Sequence, residues 1–329
     1  MHDIVVMGSN TVDAFVMTEA EIIRIDYPST KKEGKKETIL GYPLHDKVLA
    51  SDVEFSVGGS GVNAATAFSK VGLNTAYVGC IGKDLNGTKI YEHLKQNNIS
   101  FHGSLGTQSG FSVILESQEE DRTILVHKGC NNDLTTDDVN TDKLQTKWFY
   151  SSTLLGESYE TLLEVIKEYQ DAGVHTAVNI SSYLAKKGLS ELKDLVTNTD
   201  ALLVNKEEAQ LLTGQDNIED TLEVLGEHVL QHVVITDGSN GVYCYSHGTK
   251  YVIEANPVNV IGTTGAGDAF NTGFIVALMN NKPIEKALKA GMIQAESTIQ
   301  HTNATDGLLT KKQLLQKTTK DKRQPKVIQ

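Results

Sequence analysis

Cysteine is scarce in this chain, and its pattern argues against a disulfide framework or a metal centre. Among 329 residues there are 3 cysteines, Cys80, Cys130 and Cys244, far apart and without a C-x-x-C or Cys/His metal spacing. Reduced thiols and a cytoplasmic location are expected. No run reaches the roughly 18 apolar residues of a membrane-spanning helix, and the start, MHD, lacks the features of a signal peptide, so we expect a soluble protein.

Net positive charge is also absent. The 42 acidic residues outnumber 30 basic ones, and a formal charge of −12 disfavours nucleic acid or an anionic membrane as a partner held by diffuse attraction. Hydrophobic residues make up 39%, enough for a sizeable core in two domains or one large α/β domain with an appendage. Seven basic residues follow position 310, and we expect residues 311–329 to form a basic, flexible, partly helical tail; contact with RNA or membrane phosphates is the less favoured alternative.

Short β-branched runs alternate with amphipathic stretches in the second half of the chain, which is the pattern of βαβ units in a mainly parallel sheet. In the first half, the lysine-rich stretch 24–47 reads as a long loop or an insertion, and the apolar runs 111–116 and 123–127 flank a polar segment as in a β-hairpin. A small lid outside the main sheet is therefore expected. The strand candidates of the main sheet are residues 4–7, 148–151, 176–180, 201–205 and 233–236.

The string GTTGAGD at residues 262–268 precedes an apolar helical pattern. Small residues at a helix start expose several N–H donors, and the helix dipole adds partial positive charge, which together favour an anion such as a phosphoryl group. Asp268 beside such a site could accept a proton from an attacking hydroxyl. The alternative is that Asp268 only complements the helix dipole. A Walker-type NTPase is not supported, because no G-x-x-x-x-G-K-[ST] string occurs.

A second glycine cluster, GGSGVN at residues 58–63, follows a strand-like alternation and precedes a helix. Glycines at such a turn allow a ligand to approach the backbone closely. The string also fits a dinucleotide fingerprint, but the acidic residue expected at the end of the next strand is missing. A purely structural turn is the other alternative.

Together these motifs make the chain similar to the ribokinase-like (PfkB) family of sugar and nucleoside kinases, from Ile4 to about Leu309. The two clusters resemble the family's amino- and carboxy-terminal signatures, and VGCIGKDLNG at 78–87 completes the first. The other ordered matches are GCNN at 129–132, similar to a G-A-N element after the lid, NKEE at 205–208, similar to N-x-x-E, and TDGSNG at 236–241, similar to a nucleotide-contacting turn.

The resemblance implies transfer of the γ-phosphoryl group of ATP to a substrate hydroxyl. Asp268 would be the general base, and Gly265, Ala266 and Gly267 would form the anion hole. Glu208 would organise Mg²⁺, through water, since the metal bridges oxygens that would otherwise repel a carboxylate. By itself, Glu208 is also an ordinary acid of a first helical turn.

Further residues carry over by position. On the acceptor side the resemblance implies Asp13, Gly59 and Asn63 as sugar-contacting residues, since a carboxylate accepts hydrogen bonds from two neighbouring hydroxyls. Arg122 in the lid hairpin is a candidate for an anionic substrate or a solvated tip, and Asn179 is equally suited to capping a strand end. The implied nucleotide-binding residues are Asn179, Asn205, Thr236, Gly238 and Gly241.

The resemblance also implies a three-layer α/β/α sandwich with a mainly parallel sheet and a small β-lid. The kinase domain would span residues 1–310, with the lid from about 14–57 and 100–128, and the lid could pair two subunits into a homodimer. Gly262 stands where members that use a monovalent cation have Asp, so a potassium requirement is left open. The leading hypothesis is an ATP-dependent sugar kinase of the ribokinase type; a nucleoside kinase and a ligand-sensing protein without turnover are the alternatives.

Overall fold

The computed structural model describes residues 1–18, 21–26, 36–42, 44–45, 47–116 and 122–328. The strands of this part are β1 (Ile4–Met7), β2 (Thr11–Thr18), β3 (Glu21–Asp26), β4 (Lys36–Gly41), β5 (Ala50–Gly58), β6 (Thr75–Gly82), β7 (Ser100–Gly106), β8 (Gly110–Glu116), β9 (Arg122–His127), β10 (Trp148–Ser151), β11 (His175–Asn179), β12 (Ala201–Asn205), β13 (His232–Thr236), β14 (Val242–Ser246), β15 (Thr249–Ile253) and β16 (Lys326–Ile328). The helices are α1 (Ser60–Lys70), α2 (Leu85–Gln96), α3 (Glu157–Asp171), α4 (Ser182–Ala185), α5 (Lys193–Thr197), α6 (Lys206–Thr213), α7 (Ile218–Gly226), α8 (Ala266–Met279), α9 (Ile284–Thr298) and α10 (Lys311–Lys320).

Ten strands form the main sheet, in the order β16-β15-β14-β13-β12-β11-β10-β1-β6-β7. The strands from β13 to β7 run parallel, and β14, β15 and β16 add an antiparallel edge. β1 lies between β10 and β6, so the strand order reverses beside it. In an open α/β sheet, such a reversal opens a crevice at the carboxyl ends of the strands, where ligands bind. The mainly parallel sheet predicted from the sequence is confirmed.

Alternate residues of the strands pack against two helical layers. In β1, Ile4 and Val6 share a cluster with residues of α1 and α8, whereas Val5 and Met7 share another with residues of α3 and α6. Because both faces are covered, β1 is buried along its whole length, which explains its uninterrupted apolar sequence. No helix among the described residues is long and apolar enough to cross a membrane.

A second sheet of four strands, in the order β5-β2-β8-β9, forms the lid. The predicted hairpin is present as β8 and β9, and its tip, residues 117–121, lies outside the described residues. The predicted lid boundaries need correction. Strand β7 at residues 100–106 pairs in parallel with β6 of the main sheet, so the second lid segment begins at Gly110, and the first begins with β2 at Thr11.

The lysine-rich stretch at 24–47 contains a strand rather than only a loop. β3 and β4 pair antiparallel in a separate two-stranded sheet, from Glu21 opposite Gly41 to Asp26 opposite Lys36. Residues 27–35, 43 and 46 lie outside the described part of the chain. An insertion built as a hairpin is therefore the better description of this stretch.

The carboxy-terminal segment, predicted to be a basic, flexible, partly helical tail, contains α10 and β16 in the structure. The side chain of Thr310 caps α10, which buries Leu314 at 5% exposure, and β16 joins the main sheet beside β15. Between them, the guanidinium of Arg323 lies 2.5 Å from the carboxylates of Glu296 and Asp321. The lysine content suggested solvation, but α10 is amphipathic, so its lysines remain outside while its apolar face packs.

Candidate active site

The amino terminus of α8 lies beside the crevice and has no side-chain cap. Gly265, the N-cap residue, has a φ of 76°, and a Cβ there would lie 2.4 Å from Cβ of Ala304. Gly267 differs, because a Cβ on it would meet nothing within 4 Å. The first-turn N–H groups of a helix have no partner within the helix. The Ala266 amide donates to the Thr263 carbonyl at 3.3 Å, so the Gly265 and Gly267 amides are the donors without a backbone partner in the described chain, and Gly267 borders open space. This geometry suits an anion that approaches the backbone closely.

Asp268 stands in the first turn of α8 and is partly buried. Burial raises the pKa of its carboxyl group to about 7, the charge of Glu208 raises the pKa further, and a hydrogen bond from Asn63 opposes the rise. Nδ2 of Asn63 donates to Oδ2 of Asp268 over 3.2 Å. The carboxyl group is therefore poised to exchange a proton near neutral pH.

Asn63 belongs to the glycine cluster at residues 58–63, which the structure brings against the amino-terminal end of α8. Its Oδ1 atom is buried and has no hydrogen-bond partner within the described chain. A buried acceptor without a donor is unfavourable, so this oxygen is suited to a hydroxyl of a bound ligand.

The glycines of the cluster at residues 58–63 are needed because this segment crosses the segment 8–10 closely. Gly59 has a φ of 91°, and a Cβ on it would lie 2.6 Å from Cα of Asn10; a Cβ on Gly61 would lie 2.6 Å from the carbonyl carbon of Gly8. This close packing supports a structural role for these glycines, which the sequence analysis gave as one alternative. A dinucleotide-binding unit does not fit, since α1 follows lid strand β5 instead of a strand of the main sheet.

Asp13 lies on lid strand β2, opposite Ser56 of β5 and Ser112 of β8. Burial raises the pKa of its carboxyl group, while hydrogen bonds with Thr11 and Ser112 oppose the rise. A Cβ on Gly58 would lie 2.1 Å from Oδ2 of Asp13, so glycine is required for this carboxylate to reach the cluster. Asp13 and Asn63 thus flank the same short segment.

Asn205 and Glu208 bond to each other at the start of α6. Oδ1 of Asn205 accepts from the amide of Glu208 at 2.8 Å, and Oε2 of Glu208 accepts from the amide of Asn205 at 2.9 Å. This capping box is the structural alternative considered for Glu208, and it is present. Burial raises the pKa of Glu208, and the Ser182 amide bonds to its carboxylate, which also lies close enough to raise the pKa of Asp268.

The other predicted nucleotide residues lie at neighbouring strand ends. Thr236 ends β13 opposite Asn205, and Gly238 begins the following 3₁₀ turn, where a Cβ would meet nothing within 4 Å. Gly241 has a φ of 99°, and a Cβ there would lie 2.0 Å from the carbonyl oxygen of Ile253, so its role in this structure is backbone geometry. Asn179 uses Nδ2 to bond the Leu203 carbonyl at 2.8 Å, which is the strand-end cap that the sequence also allowed.

Two contacts of the site were missed by sequence reasoning. The Asn131 side chain accepts from the amide of Asn10 at 2.8 Å and donates to its carbonyl at 2.7 Å, which joins the segment after the lid to the start of β2. Arg122 donates from Nη1 to the hydroxyl of Thr264 at 2.6 Å, so the lid reaches the α8 loop. Asn131 was visible in the GCNN string, but its partner Asn10 has no local signal.

No group of three or more His, Cys, Asp or Glu side chains arranged for a metal ion occurs among the described residues. Magnesium commonly uses only one or two protein carboxylates together with substrate phosphates and water. Glu208 and Asp268 provide two carboxylates close enough for the charge of one to raise the pKa of the other. These residues fit a magnesium ion that arrives with a phosphorylated substrate.

Comparisons with known proteins agree with this fold. The sequence matches the pfkB family carbohydrate kinases over residues 33–311. A ribokinase of Bacillus subtilis is 29% identical over 320 residues, which cover 95% of this chain and 98% of that protein. A 5-dehydro-2-deoxygluconokinase of Listeria innocua is 26% identical over 81% of this chain and 88% of that protein. The solved structure of Arabidopsis thaliana ribokinase complexed with ribose and ATP superposes with a TM-score of 0.79 at 21% identity, covering 96% and 98% of the two chains, and shows the same fold.

Proposed function

We propose roles for the side chains of this site from one premise: the chain belongs to the pfkB family of carbohydrate kinases. It is therefore a phosphotransferase that acts on a hydroxyl of a sugar or nucleoside, and its family implies ATP as the donor, normally with Mg²⁺. Within this class we propose phosphorylation of a small sugar. The relatives are named ribokinase and 5-dehydro-2-deoxygluconokinase, so their names do not agree on one acceptor.

The observation that carries the proposal is the carboxyl group of Asp268 at the uncapped start of α8, with a pKa of about 7 and a bond from Asn63. Asp268 takes the proton of the acceptor hydroxyl, while the oxygen of that hydroxyl forms a bond to the γ-phosphorus of ATP. The bond from that phosphorus to the oxygen bridging to the β-phosphate breaks, and ADP leaves. The amides of Gly265 and Gly267, and that of Ala266 when it leaves the Thr263 carbonyl, stabilise the charge on the equatorial oxygens.

The remaining residues hold the two substrates. Asp13 and the Oδ1 atom of Asn63 accept hydrogen bonds from acceptor hydroxyls, and Gly59 allows the acceptor to approach the backbone. Glu208 would hold Mg²⁺ through water, and the ion would neutralise phosphate charge. The nucleotide lies along Asn205, Thr236, Gly238 and Gly241, whereas Asn179 acts by holding the end of β11.

We also propose a homodimer formed through the lid. Phe55 of β5 and Leu125 of β9 lie in one cross-strand row, through Ala14 and Val113, and each is 57% exposed. Val53, two residues before Phe55, shares that face and is 48% exposed. Apolar side chains on the edge strands of a small sheet favour covering by a second lid.

The test is ADP formation with a panel of acceptors, ribose, fructose, adenosine, cytidine and guanosine, in the parent protein and in Asp268→Asn. We expect a sugar to be the preferred acceptor and the substitution to lower kcat about 10²- to 10⁴-fold with the thermal unfolding midpoint retained. Asp171→Asn, at the exposed end of α3, is the matched control and should keep kcat. Preference for adenosine, cytidine or guanosine would favour the nucleoside kinase. Ligand binding without ADP formation would favour a sensing protein, and normal turnover by Asp268→Asn would remove Asp268 as the base.

A further inference from the structure

Lys128 directly follows lid strand β9 and carries a half-buried ammonium group. Nζ lies 4.6 Å from the centre of the Tyr183 ring, and within the described chain it has no hydrogen bond or ion pair with an acidic side chain. Burial lowers its pKa. A cation that has lost part of its hydration and faces only an aromatic ring is unfavourable compared with one that also meets an anion.

The backbone of Lys128 belongs to the acceptor side of the site. Nδ2 of Asn131 donates to the Lys128 carbonyl at 2.7 Å and also to the carbonyl of Asn10, three residues before the proposed acceptor ligand Asp13. The segment that carries Lys128 is therefore fixed to the start of β2 by two bonds of a single buried amide.

The side chain of Lys128 reaches helix α4. Its ring partner Tyr183 lies in α4, next to Ser182, whose amide bonds to the Glu208 carboxylate of α6. Lys128 thus connects the segment bonded to the start of β2 with the helix that bonds Glu208. The proposed acceptor ligand Asp13 and the proposed base Asp268 are both acidic, and the protein as a whole has a charge of −12. An anionic acceptor would therefore need a local cation here.

We propose that Lys128 binds an anionic group, a carboxylate or a phosphate, on the acceptor, and that the enzyme therefore acts on acidic sugars in preference to neutral ones. This inference rests on the proposed kinase function and names its substrate class. The ammonium leaves the Tyr183 ring, or bridges it and the anion, when the acceptor binds, and the negative group is held away from Asp13 and Asp268.

Lys187 provides a matched control, because its Nζ lies 4.9 Å from the Tyr159 ring centre, but the side chain is exposed and lies beyond the end of α4. If a cation over an aromatic ring were sufficient, the two lysines would behave alike on substitution. If Lys128 meets the acceptor, only its substitution changes the choice between charged and neutral acceptors.

The experiment measures kcat/KM for matched acceptor pairs, ribose with ribose 5-phosphate, fructose with fructose 6-phosphate, and glucose with gluconate, in the parent protein, Lys128→Met, Lys128→Arg and Lys187→Met. We expect the parent to prefer at least one anionic member, and Lys128→Met to lower that preference about 10- to 100-fold, mainly through KM. Lys128→Arg should retain most of the preference, and Lys187→Met all of it. The phosphate and carboxylate pairs distinguish the two sources of charge.

Three results would overturn the inference: neutral members preferred throughout, an equal loss for both members of a pair in Lys128→Met, or a rise in the KM for ATP alone. Each of these leaves the kinase function intact, because ADP still forms with an acceptor. Absence of ADP formation with every acceptor would instead count against the proposed function. In that case, calorimetric titration of the same pairs decides the inference, and no preference for anionic members at millimolar concentration would reject it.

Discussion

The proposed chemistry depends on the carboxyl group of Asp268. The environment of this group predicts how kcat/KM changes with pH. Its pKa of about 7 follows mainly from burial, and only the deprotonated form accepts a proton. The value of kcat/KM should therefore fall as the pH decreases below about 7, approaching a tenfold loss per pH unit. Steady-state rates between pH 5 and 9 measure this limb.

Asn63 supplies the matching control for that profile. Its bond to Asp268 lowers the pKa, so Asn63→Ala should move the acidic limb to higher pH, whatever it does to the maximum rate. A limb that stays at the same pH in Asn63→Ala would show that another group titrates.

Among the described residues, one side-chain hydrogen bond joins the lid to the loop that precedes α8. Arg122, the first residue of β9, donates to the hydroxyl of Thr264, next to the proposed anion hole. Closing of a lid over a phosphoryl group excludes water, which is a competing acceptor. Arg122→Ala and Thr264→Ala should each lower kcat/KM for the acceptor about tenfold and raise the share of ATP lost to hydrolysis.

A double-mutant cycle tests whether the effects of Arg122→Ala and Thr264→Ala both come from the loss of the bond between these residues. If the bond carries them, the double variant should be little worse than either single variant, with a coupling of about 1 kcal/mol. Thr263→Ala, one residue earlier on the same loop, is the control and should not couple to Arg122. Additive effects of Arg122→Ala and Thr264→Ala would contradict a closing role for the bond.

The carboxy-terminal segment is held by an ion pair that differs from its neighbours in burial. The side chains of Arg323 and Glu296 are 14% and 13% exposed, whereas those of Lys326 and Glu254 are 70% and 74% exposed. Arg323→Met removes the guanidinium that pairs with the largely buried carboxylates of Glu296 and Asp321. We therefore expect the free energy of unfolding to fall by about 1–3 kcal/mol. Lys326→Met should have a much smaller effect, because water screens its pair with Glu254. Urea unfolding of both variants measures the difference, and equal losses would show that α10 alone holds the segment.

On the scale of the whole molecule, the exposed lid face predicts assembly. Light scattering of the purified chain should give the mass of a dimer, because Phe55, Leu125 and Val53 would be covered by a second copy. The double variant Val53→Asp/Leu125→Asp should shift the mass toward the monomer. Leu230→Asp, at an apolar residue 48% exposed outside the lid, should not change the mass. A monomeric parent protein at micromolar concentration would contradict the proposed interface.

Much of the framework could be predicted because its signals are local. The strand predictions at 148–151 and 201–205 have the same bounds as β10 and β12, since β-branched and aromatic runs between amphipathic stretches identify buried parallel strands. The two glycine clusters were recognisable for a similar reason: Gly59 and Gly265 both adopt a positive φ at the start of a helix. Family resemblance then assigned candidate roles to them.

Other features could not be predicted, because they depend on residues far apart along the chain. Asn63 and Asp268 are 205 positions apart, and only the order of strands around β1 brings their helices together. Lys128 has no distinguishing local pattern until Tyr183 lies beneath it. The packing of the carboxy-terminal segment could not be predicted, because charge content is local, whereas the pairing of β16 with β15 and the bond from Arg323 to Glu296 are not.

The sequence by itself determined the class of the fold and the position of the glycine turn proposed to bind the phosphoryl group, since alternation, small residues and helix starts act over a few neighbouring positions. The tertiary structure decided that the Asp268 carboxylate is buried, that the Asn63 amide bonds to it, and that the Lys128 ammonium group lies over the Tyr183 ring. Those properties depend on desolvation and on distances between side chains from separate elements, and these arise only when the sheet, the helices and the lid have packed.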